Sequence, residues 1–512
     1  MSLVLSAWFL AIEILLSLTY MAVAGAQSRT INRLPWIKND CMDAFQTLLK
    51  SFFAFKAYVM LPVIIFAIAL AVRLPIQRAV LSTVSLAAGF AGVFIAFNFF
   101  VDNISPAVQQ LSQVRGLSFP VLDVGWPPLA AITWASPLAV ISIPLVLVVN
   151  IAMLATGLTR TIYIDIWNYW HFALLGALVM TTTGSMALGL SSVVLLAVYC
   201  FKMTEWTAPD IEREIGLKGI SASPVSVNGI VPYTACMDWL LQRTPWVKNI
   251  HYNPEAASKK SHADDGTSHK ITWVSLLSEP TVIGLLMGLA LGLSAGYGIK
   301  ATLELGVHIA AVMFILPKCA GLIGEAMMPI TTALRDQVAR RFPTRKNLIV
   351  ALDTGFLMGH KSVIMTGLIL MALAIVIALI LPGNKVLPLG DLPNVISVMS
   401  LSVLMLRGNV FRAVLAGIPV IITFLLVSSH LAPLYTDLAL KTPSFNAQGL
   451  GQITAFTDGG HQVRFVLLAL YQGQLWAWGA LAVLLAAVVF TQRRFKTADA
   501  VNLAAADKNS SL

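Results

Sequence analysis

Charged side chains are scarce in this chain of 512 residues, at 11% of its composition. Soluble domains carry roughly 25% charged residues, so the scarcity excludes an ordinary soluble protein. Apolar residues make up 57% of the chain, and the mean hydropathy is +0.80. The sequence therefore predicts an integral membrane protein.

Cysteine is scarce as well. The chain has four, Cys41, Cys200, Cys236 and Cys319, and none of them stands in a CxxC or other metal-ligand spacing. We interpret them as buried or loop thiols, and we predict neither a metal site nor a cofactor.

Acidic residues are outnumbered by basic residues, 24 to 34, which gives a formal net charge of +10. In a soluble protein this excess would suggest nucleic acid as a partner. In a membrane protein the excess has a simpler cause, because basic loops are retained on the cytoplasmic side during insertion. We therefore predict no nucleic-acid partner.

Long apolar runs, by contrast, are plentiful. A helix needs about 20 apolar residues to cross roughly 30 Å of hydrocarbon. Candidate windows are 58–72, 79–101, 137–157, 172–200, 274–298, 301–325, 362–381, 395–430 and 465–490. They lack the alternation of a membrane barrel, and backbone groups in lipid must be paired internally. We predict an all-α polytopic membrane protein with roughly 10 to 12 crossings.

Short motifs recur in the same order in the two halves of the chain. Three pairs align at nearly one offset: Pro106 with Pro329, VLDVG (121–125) with ALDTG (351–355), and DIWN (165–168) with DLPN (391–394). Each pair alone is weak, but together they indicate two copies of one unit. We predict this organisation: an N-terminal extension of uncertain status (1–41), a first membrane repeat (42–201), a cytosolic connector (202–273), a second membrane repeat (274–432), a final loop with a C-terminal transmembrane helix (433–495), and a cytosolic tail (496–512).

Basic residues indicate how the two copies are oriented. The stretch that follows Pro106 carries only Arg115, whereas the stretch that follows Pro329 carries Arg335, Arg340, Arg341, Arg345 and Lys346. Equivalent loops on opposite sides of the membrane define an inverted-topology repeat, an architecture of transporters that bind substrate near the midplane. The paired Asp-Gly motifs would then be one position in two opposed halves.

Glycine and proline interrupt both Asp-Gly segments, VLDVGWPPLAAITWASP and DTGFLMGHKS. Such backbone survives at membrane depth only inside protein or beside a wet cavity, so we predict broken or re-entrant helices. Ionisable residues there are costly and are candidates for function by default. These candidates are Asp123, Asp165, His171, Asp353, His360 and Asp391. The alternative is that the aspartates cap broken helices and the histidines are satisfied interior residues.

The candidate set suits a polyhydroxylated substrate. Carboxylates, imidazoles and the amides of Asn168, Asn394 and Asn409 pair with hydroxyl groups, which both donate and accept. Trp134, Trp167 and Trp170 offer aromatic faces for the C–H groups of such a molecule. These tryptophans could equally be anchors at the membrane interface, a reading that applies above all to Trp170.

Several motifs together resemble a known family. VLDVGWP, TWAS, DIWNYWH, ALDTGFLMGH, PGNKVLPLGDL and RGNVFR resemble, in the same order, segments of the galactitol-type enzyme IIC permeases of the bacterial phosphoenolpyruvate-dependent sugar phosphotransferase system. The similarity runs from about Tyr58 to the basic stretch QRRFK. The resemblance implies a multi-pass protein of the bacterial inner membrane that imports galactitol or a related polyol while it is phosphorylated.

The resemblance also implies partners and site residues. A IIB subunit would supply phosphate from a phosphocysteine, and a IIA subunit would supply IIB from a phosphohistidine. Related ascorbate-type permeases imply a homodimer with an elevator motion. The substrate-binding residues carried over by motif are Asp165, Asn168, His171, Asp353, Asp391 and Asn394, with His360 also in the site. His360, or one of the buried aspartates, is the expected acceptor of the hydroxyl proton.

The chain itself is not expected to donate phosphate. Cys41 lies in KNDCMDAF, which has none of the glycines of a phosphate-cradling loop. An enzymatic label would belong to the complex, with this subunit providing the translocation path and the acceptor site. The alternative function is a secondary transporter in which an aspartate binds a proton or Na⁺ and the solute arrives unmodified.

Two regions leave alternatives open. Residues 1–41 precede the part that resembles the family, and they are either an extra helix or untranslated, with translation starting at Met42. The connector 202–273 either docks IIB or is a solvated link with a surface helix.

Overall fold

The computed structural model describes residues 57–115, 119–255, 280–341, 347–358, 360–442 and 451–510. The predicted N-terminal extension, residues 1–41, lies outside the described residues, as do residues 256–273 of the predicted connector. Six described helices are long and apolar enough to cross a membrane, and four shorter apolar helices accompany them. The all-α polytopic class is confirmed, whereas the crossing number stays a prediction.

The first half of the described chain alternates long helices with very short strands. Its elements are α1 (Ala57–Ala71), α2 (Ile76–Arg115), β1 (Val121–Asp123), α3 (Trp126–Trp134), α4 (Pro137–Thr156), β2 (Thr161–Ile162), α5 (Trp170–Thr183), α6 (Met186–Ile215), β3 (Ile220–Ala222), α7 (Val225–Asn228) and α8 (Val231–Arg243). A 3-10 helix over Ile166–Tyr169 leads directly into α5.

The second half repeats this order. Its elements are α9 (Pro280–Ser294), α10 (Ile299–Arg341), β4 (Ile349–Leu352), α11 (Lys361–Ile380), β5 (Val386–Leu387), α12 (Asn394–Met405), α13 (Val410–Leu440), β6 (Gln452–Thr454), α14 (Phe456–Gly459), α15 (Gln462–Tyr471) and the additional α16 (Leu475–Ser510). A 3-10 helix over Thr354–Phe356 stands where the first half has α3. The element order supports the predicted repeat, and the opposed orientation rests on the basic residues.

The two halves exchange strands with each other. One parallel sheet has the order β5-β1-β6 and the other has the order β2-β4-β3. Each sheet therefore has its central strand from one half and both outer strands from the other. This reciprocal exchange is what two copies related by a two-fold axis produce, and it brings the strand ends of both halves together.

The segment expected as a cytosolic connector is folded as far as Glu255, and it contacts both halves of the chain. It begins inside α6, and Thr204 Oγ1 in that helix donates to the Ala222 carbonyl in β3 at 3.0 Å. Its polar residues are paired: Glu205 Oε2 is 2.7 Å from Lys202 Nζ, for example. The hydrophilic composition thus reflects internal ion pairs as well as exposed loops. The side of the membrane on which this segment lies stays a prediction.

Glycines allow α9 and α10 to pack at very close range. Gly284, Gly288 and Gly292 follow one another at four-residue spacing along α9 and face α10. A Cβ atom on Gly288 would lie 2.6 Å from the Cα atom of Gly306. Helices in membranes associate through such small-residue contacts, because lipid offers them no hydrophobic driving force. This pair therefore depends on the absence of side chains.

The contact predicts opposite effects for two glycine-to-alanine changes. Gly288→Ala should lower the thermal unfolding midpoint in detergent, because overpacking against backbone costs about 1–3 kcal/mol. Gly321→Ala on α10 is the control, since a Cβ atom added there would meet nothing within 4 Å among the described residues. Glycine in a helix is about 0.5–1 kcal/mol less favourable than alanine, so the control should leave the midpoint unchanged or raise it. Equal midpoints for the two variants would contradict the packing argument.

Candidate functional site

The first polar cluster lies at the carboxyl ends of the strands in the sheet β2-β4-β3. Asp353 follows β4 directly, Ser223 follows β3 directly, and Asp165 follows β2. Because the strands are parallel, these ends meet at one edge of the sheet. We call Asp165, Asn168, Ser223 and Asp353 the open centre.

One amide joins the two carboxylates of the open centre. Asn168 Nδ2 donates to Asp165 Oδ2 and to Asp353 Oδ2, in both cases at 2.8 Å. Ser223 Oγ donates to Asp165 Oδ2 at 2.6 Å. Asp353 belongs to the second half of the chain and the other three to the first, so the centre forms only where the halves meet.

The open centre is reachable from outside the protein. Asp353 is exposed and Asp165 is half-buried, whereas Asn168 and Ser223 are buried. Asp353 Oδ1 also accepts the Gly355 backbone N–H at 3.3 Å, which caps the 3-10 helix over Thr354–Phe356. The capping role expected as an alternative is therefore real for one oxygen of Asp353, while its carboxylate stays accessible.

The second polar cluster lies at the equivalent ends of the sheet β5-β1-β6. We call its residues Asp123, Asp391, Asn394, Thr457 and Asp458 the closed centre. Asp123 is 0% exposed, Asp391 is 1% exposed and Asp458 is 2% exposed. Asn394 Nδ2 donates to Thr457 Oγ1 at 2.8 Å and to Asp458 Oδ2 at 3.1 Å. Equivalent motifs in the two repeats have thus produced one accessible and one sealed cluster.

Backbone N–H groups donate to both oxygens of Asp123 in the closed centre. Asp123 Oδ2 accepts Leu389 N and Asp391 N, both at 2.9 Å. Asp123 Oδ1 accepts Phe456 N at 2.9 Å and Gly125 N at 3.3 Å. Three of these bonds tie β1 to the segments that follow β5 and β6, and the bond from Gly125 N lies within the turn that follows β1. These contacts favour a structural role for Asp123, which joins three segments rather than capping α3, whose N-cap is Gly125.

Asp391 is engaged in a similar way. Its Oδ1 accepts Trp126 N at 3.1 Å, and its Oδ2 accepts Thr457 N at 2.9 Å and the Thr457 hydroxyl. Asp391 therefore joins the start of α3 to the start of α14. Both of its oxygens already have donors in this arrangement.

His171 lies beside the closed centre rather than in the open one. Its Nδ1 is 3.5 Å from Asp458 Oδ1 and 3.4 Å from Arg464 Nη2. Arg464 is 0% exposed, and its guanidinium donates to the Asp458 carbonyl. Because His171 follows Asn168 by three residues, the 3-10 helix and the first turn of α5 together contact both centres.

Four residues that the sequence analysis did not single out belong to these clusters: Ser223, Thr457, Asp458 and Arg464. Arg464 lies one position before the apolar window that begins at residue 465. A search for basic residues in the first turn of apolar helices would have found it. Ser223 lies in the hydrophilic stretch that was interpreted as a connector, so its residue type carried no signal.

Tryptophans surround the two centres. Trp126 stacks on Trp170 with ring centroids 6.5 Å apart, and Trp134 stacks on Trp167 at 6.4 Å. Trp126 and Trp167 make an edge contact at 6.4 Å, which joins the two pairs. Trp170 is 1% exposed, so it is an interior residue and the interfacial interpretation of it is wrong.

Two further candidates lie at the ends of helices. His360 is buried and occupies the N-cap position of α11, seven residues after Asp353. Asn409 caps α13 by accepting Arg412 N at 3.3 Å and donates to the Ile250 carbonyl at 2.8 Å. The side-chain amide of Asn409 therefore serves the turn between α12 and α13 and not either centre.

The bonds of Asp123 predict a loss of stability in Asp123→Asn. The new amide NH₂ group faces two backbone N–H groups and cannot accept a hydrogen bond from either. Each N–H group left without an acceptor costs about 1–3 kcal/mol. We expect a lower thermal unfolding midpoint and less folded protein. Asp437→Asn is the matched control, because its carboxylate pairs with Lys441 at 2.6 Å at the surface. Such surface pairs contribute roughly 0–1 kcal/mol. If the thermal unfolding midpoint of Asp123→Asn equals that of the control, Asp123 does not stabilise the fold through these hydrogen bonds.

Comparison with known proteins agrees with this architecture. The family described as the PTS system sugar-specific permease component, EIIC-GAT, matches residues 51–448. A putative permease IIC component of Escherichia coli strain K12 is 32% identical over 401 residues, which cover 78% of this chain and 89% of the relative. Galactitol-specific EIIC components of the PTS system from Escherichia coli strains K12 and O157:H7 are each 31% identical over 416 residues. In both cases the match covers 81% of this chain and 89% of the relative. The chain belongs to the EIIC-GAT family of PTS sugar permeases, and it is a multi-pass protein of the bacterial inner membrane.

Proposed function

We propose that this permease binds galactitol or a closely related polyol at the open centre and imports it with coupled phosphorylation by a partner IIB subunit, which IIA recharges. The observation that carries the proposal is the Asn168 amide, which bonds to a carboxylate from each half while Asp353 stays exposed. A site of this kind is complete only in the assembled protein and is still reachable by a solute.

The chemistry of the open centre suits a polyol. Carboxylates accept hydrogen bonds, the Asn168 amide donates them, and the Ser223 hydroxyl does either. Each hydroxyl of a polyol both donates and accepts, so neighbouring hydroxyls are able to replace parts of this network in turn. Trp167 stands next to Asn168 in the same 3-10 helix and supports an apolar face beside the polar one. Sites for small molecules combine these two surfaces.

The expected ligand set becomes narrower in this proposal. Asp165, Asn168 and Asp353 contact the polyol. Asp391, Asn394 and His171, which the motifs also suggested as ligands, instead support the site by holding the closed centre together. Their contacts favour this division, because Asp391 accepts backbone N–H groups on both oxygens and Asn394 donates to Thr457 and Asp458.

Phosphoryl transfer requires an acceptor for the hydroxyl proton. The P–S bond of the IIB phosphocysteine breaks, a P–O bond to the polyol forms, and the hydroxyl proton passes to a base on this chain. We propose His360 as that base, since it stands at the end of the stretch that begins at Asp353. Asp353 is the second candidate, because its exposed carboxylate is in the open centre itself. The donor remains IIB, and the enzymatic activity belongs to the complex.

The assembly is part of the same proposal. The resemblance to dimeric permeases supports a homodimer embedded in lipid. The segment that continues α6 as far as Glu255 is the candidate docking side for IIB. The mass of the purified protein in nanodiscs would test whether it is a dimer. A monomer at all protein concentrations would remove the homodimer from the proposal.

The open centre predicts which substitutions weaken binding. Asp165→Asn, Asn168→Ala and Asp353→Asn should each lower the affinity for galactitol about tenfold or more, since hydrogen bonds to charged groups contribute about 1.5–3 kcal/mol. Equilibrium dialysis of labelled galactitol against purified protein measures this effect. Asp437→Asn at the surface should bind like the wild type. Unchanged affinity in all three variants would remove the open centre as the binding site.

Coupling to phosphorylation predicts the chemical state of the imported solute. Vesicles that contain the permease should accumulate galactitol phosphate only when phosphorylated IIB is present inside. His360→Gln should bind galactitol normally and form product more slowly, about 10²-fold if it is the base. Free galactitol that accumulates without IIB, and leaks out when the proton gradient collapses, would instead support the secondary transporter.

A further inference from the structure

We propose that Asn253 and Glu255 are positioning residues for the proposed site, because they hold the start of α11. Asp353 and His360 both lie in the segment that leads into this helix, and His360 comes directly before it. Both lie in residues 248–255, which we call the strap. The strap comes after α8 in the sequence and contacts the second half of the chain. The inference rests on the proposed function of the open centre. It assigns a supporting role to two residues that lie about 100 residues before Asp353 in the sequence.

The strap supplies hydrogen-bond acceptors to the first turn of α11. His360 occupies the N-cap position of that helix. Glu255 Oε2 accepts Lys361 N at 3.0 Å, and Asn253 Oδ1 accepts the Ser362 hydroxyl at 3.2 Å. The first N–H groups of a helix lack partners within the helix, and a carboxylate near them is favourable. The strap thus contributes to the N-terminal cap of a helix in the second half of the chain.

The strap is itself fixed to the turn between α12 and α13. Asn253 Nδ2 donates to the Arg407 carbonyl at 3.0 Å, and the Tyr252 carbonyl accepts Val410 N at 2.9 Å. Gly408 has a φ of +64°, and a Cβ atom there would lie 2.6 Å from Asn253 Nδ2. Asn253 therefore bridges two elements, with its oxygen on α11 and its nitrogen on the turn.

The other end of the connection lies in the open centre. Asp353 accepts Asn168 Nδ2 at 2.8 Å, and Thr354 Oγ1 is 2.7 Å from Ser397 Oγ on α12. Leu357 is fully buried between these contacts and the start of α11. The chain from Asp353 to α11 is therefore held at its inner end by Asn168 and Ser397 and at its outer end by the strap.

This double attachment matters because reacting groups must be held within a fraction of an ångström. Binding and catalytic side chains need positions fixed to about 0.5 Å, and a misplacement of about 1 Å costs about 10²-fold in rate. Without the outer attachment, the first turn of α11 frays and His360 and Asp353 lose their fixed spacing. Glu255 acts through this backbone and touches neither the substrate nor the reacting atoms.

The test compares Glu255→Ala with Glu255→Gln. Glutamine retains an oxygen that accepts Lys361 N, whereas alanine does not, so a positioning role predicts rescue by glutamine. In vesicles with phosphorylated IIB, Glu255→Ala should lower the rate at saturating galactitol about tenfold, and Glu255→Gln should stay within about twofold of wild type. Glu304→Ala is the control. Glu304 is an exposed residue of α10, and its carboxylate is 3.9 Å from Lys300 Nζ. This variant should leave the rate unchanged.

A second readout does not depend on activity. Met358 is 38% exposed, and Met358→Cys introduces a thiol between Asp353 and His360. The rate of maleimide labelling at this thiol, corrected for the labelling of the parent chain, should rise severalfold when Glu255→Ala is added and should not rise with Glu255→Gln. Binding of galactitol to wild type is measured alongside. If wild type neither binds nor phosphorylates galactitol, the proposed function fails, while the labelling still decides whether the strap holds the segment.

Two results would overturn the positioning role. One is wild-type labelling and wild-type rate in Glu255→Ala. The other is an equal loss of rate in Glu255→Ala and Glu255→Gln together with an equal fall in thermal midpoint, since that pattern is expected of a residue needed only for stability. Rescue by glutamine in both the rate and the labelling would support the inference.

Discussion

Backbone that leaves regular helix inside a membrane must find hydrogen-bond partners within the protein, and this constraint shapes the whole centre of the molecule. Asp123 meets it most completely, with four backbone N–H groups on its two oxygens. Because two of those donors follow β5 and another begins α14, the carboxylate fixes the exchange of strands between the halves. The exchange, in turn, places Asp353 against Asn168.

The two centres show one motif in two different roles. Asp123 and Asp353 occupy equivalent positions after β1 and β4, yet the first is sealed and the second is exposed. The strand register makes Val227 the counterpart of Asp458, so only the closed centre gained a further carboxylate together with the buried Arg464. A charge buried with a guanidinium and backbone donors braces the fold, because removing either partner leaves the other uncompensated.

Part of this arrangement was predictable from the chain. The paired Asp-Gly motifs indicated the repeat, and the cost of ionisable groups in lipid pointed to Asp165 and Asp353. The strand exchange was not predictable, because a strand such as Thr161–Ile162 is too short to show any periodicity. The structured part of the stretch that begins at residue 202 was not predictable either, since Glu205 in α6 is polar in sequence but is paired inside the fold. Composition records residue type and not pairing.

The charge of the open centre bears on the choice between phosphorylation-coupled import and ion-coupled secondary transport. Two carboxylates share one neutral amide there, and no cationic side chain is bonded to them among the described residues. Such a pair is costly in a dry interior, so the exposure of Asp353 to water is a condition for the centre to exist in this form. Under the proposed function, a neutral polyol would replace that water hydroxyl for hydroxyl and leave the charge as it was. A coupling ion would change the charge and favour closure over Asp353 by neutralising it. The accessible carboxylate beside a sealed counterpart therefore suits a carrier whose substrate is captured by phosphorylation, with no need for a charge change to drive release.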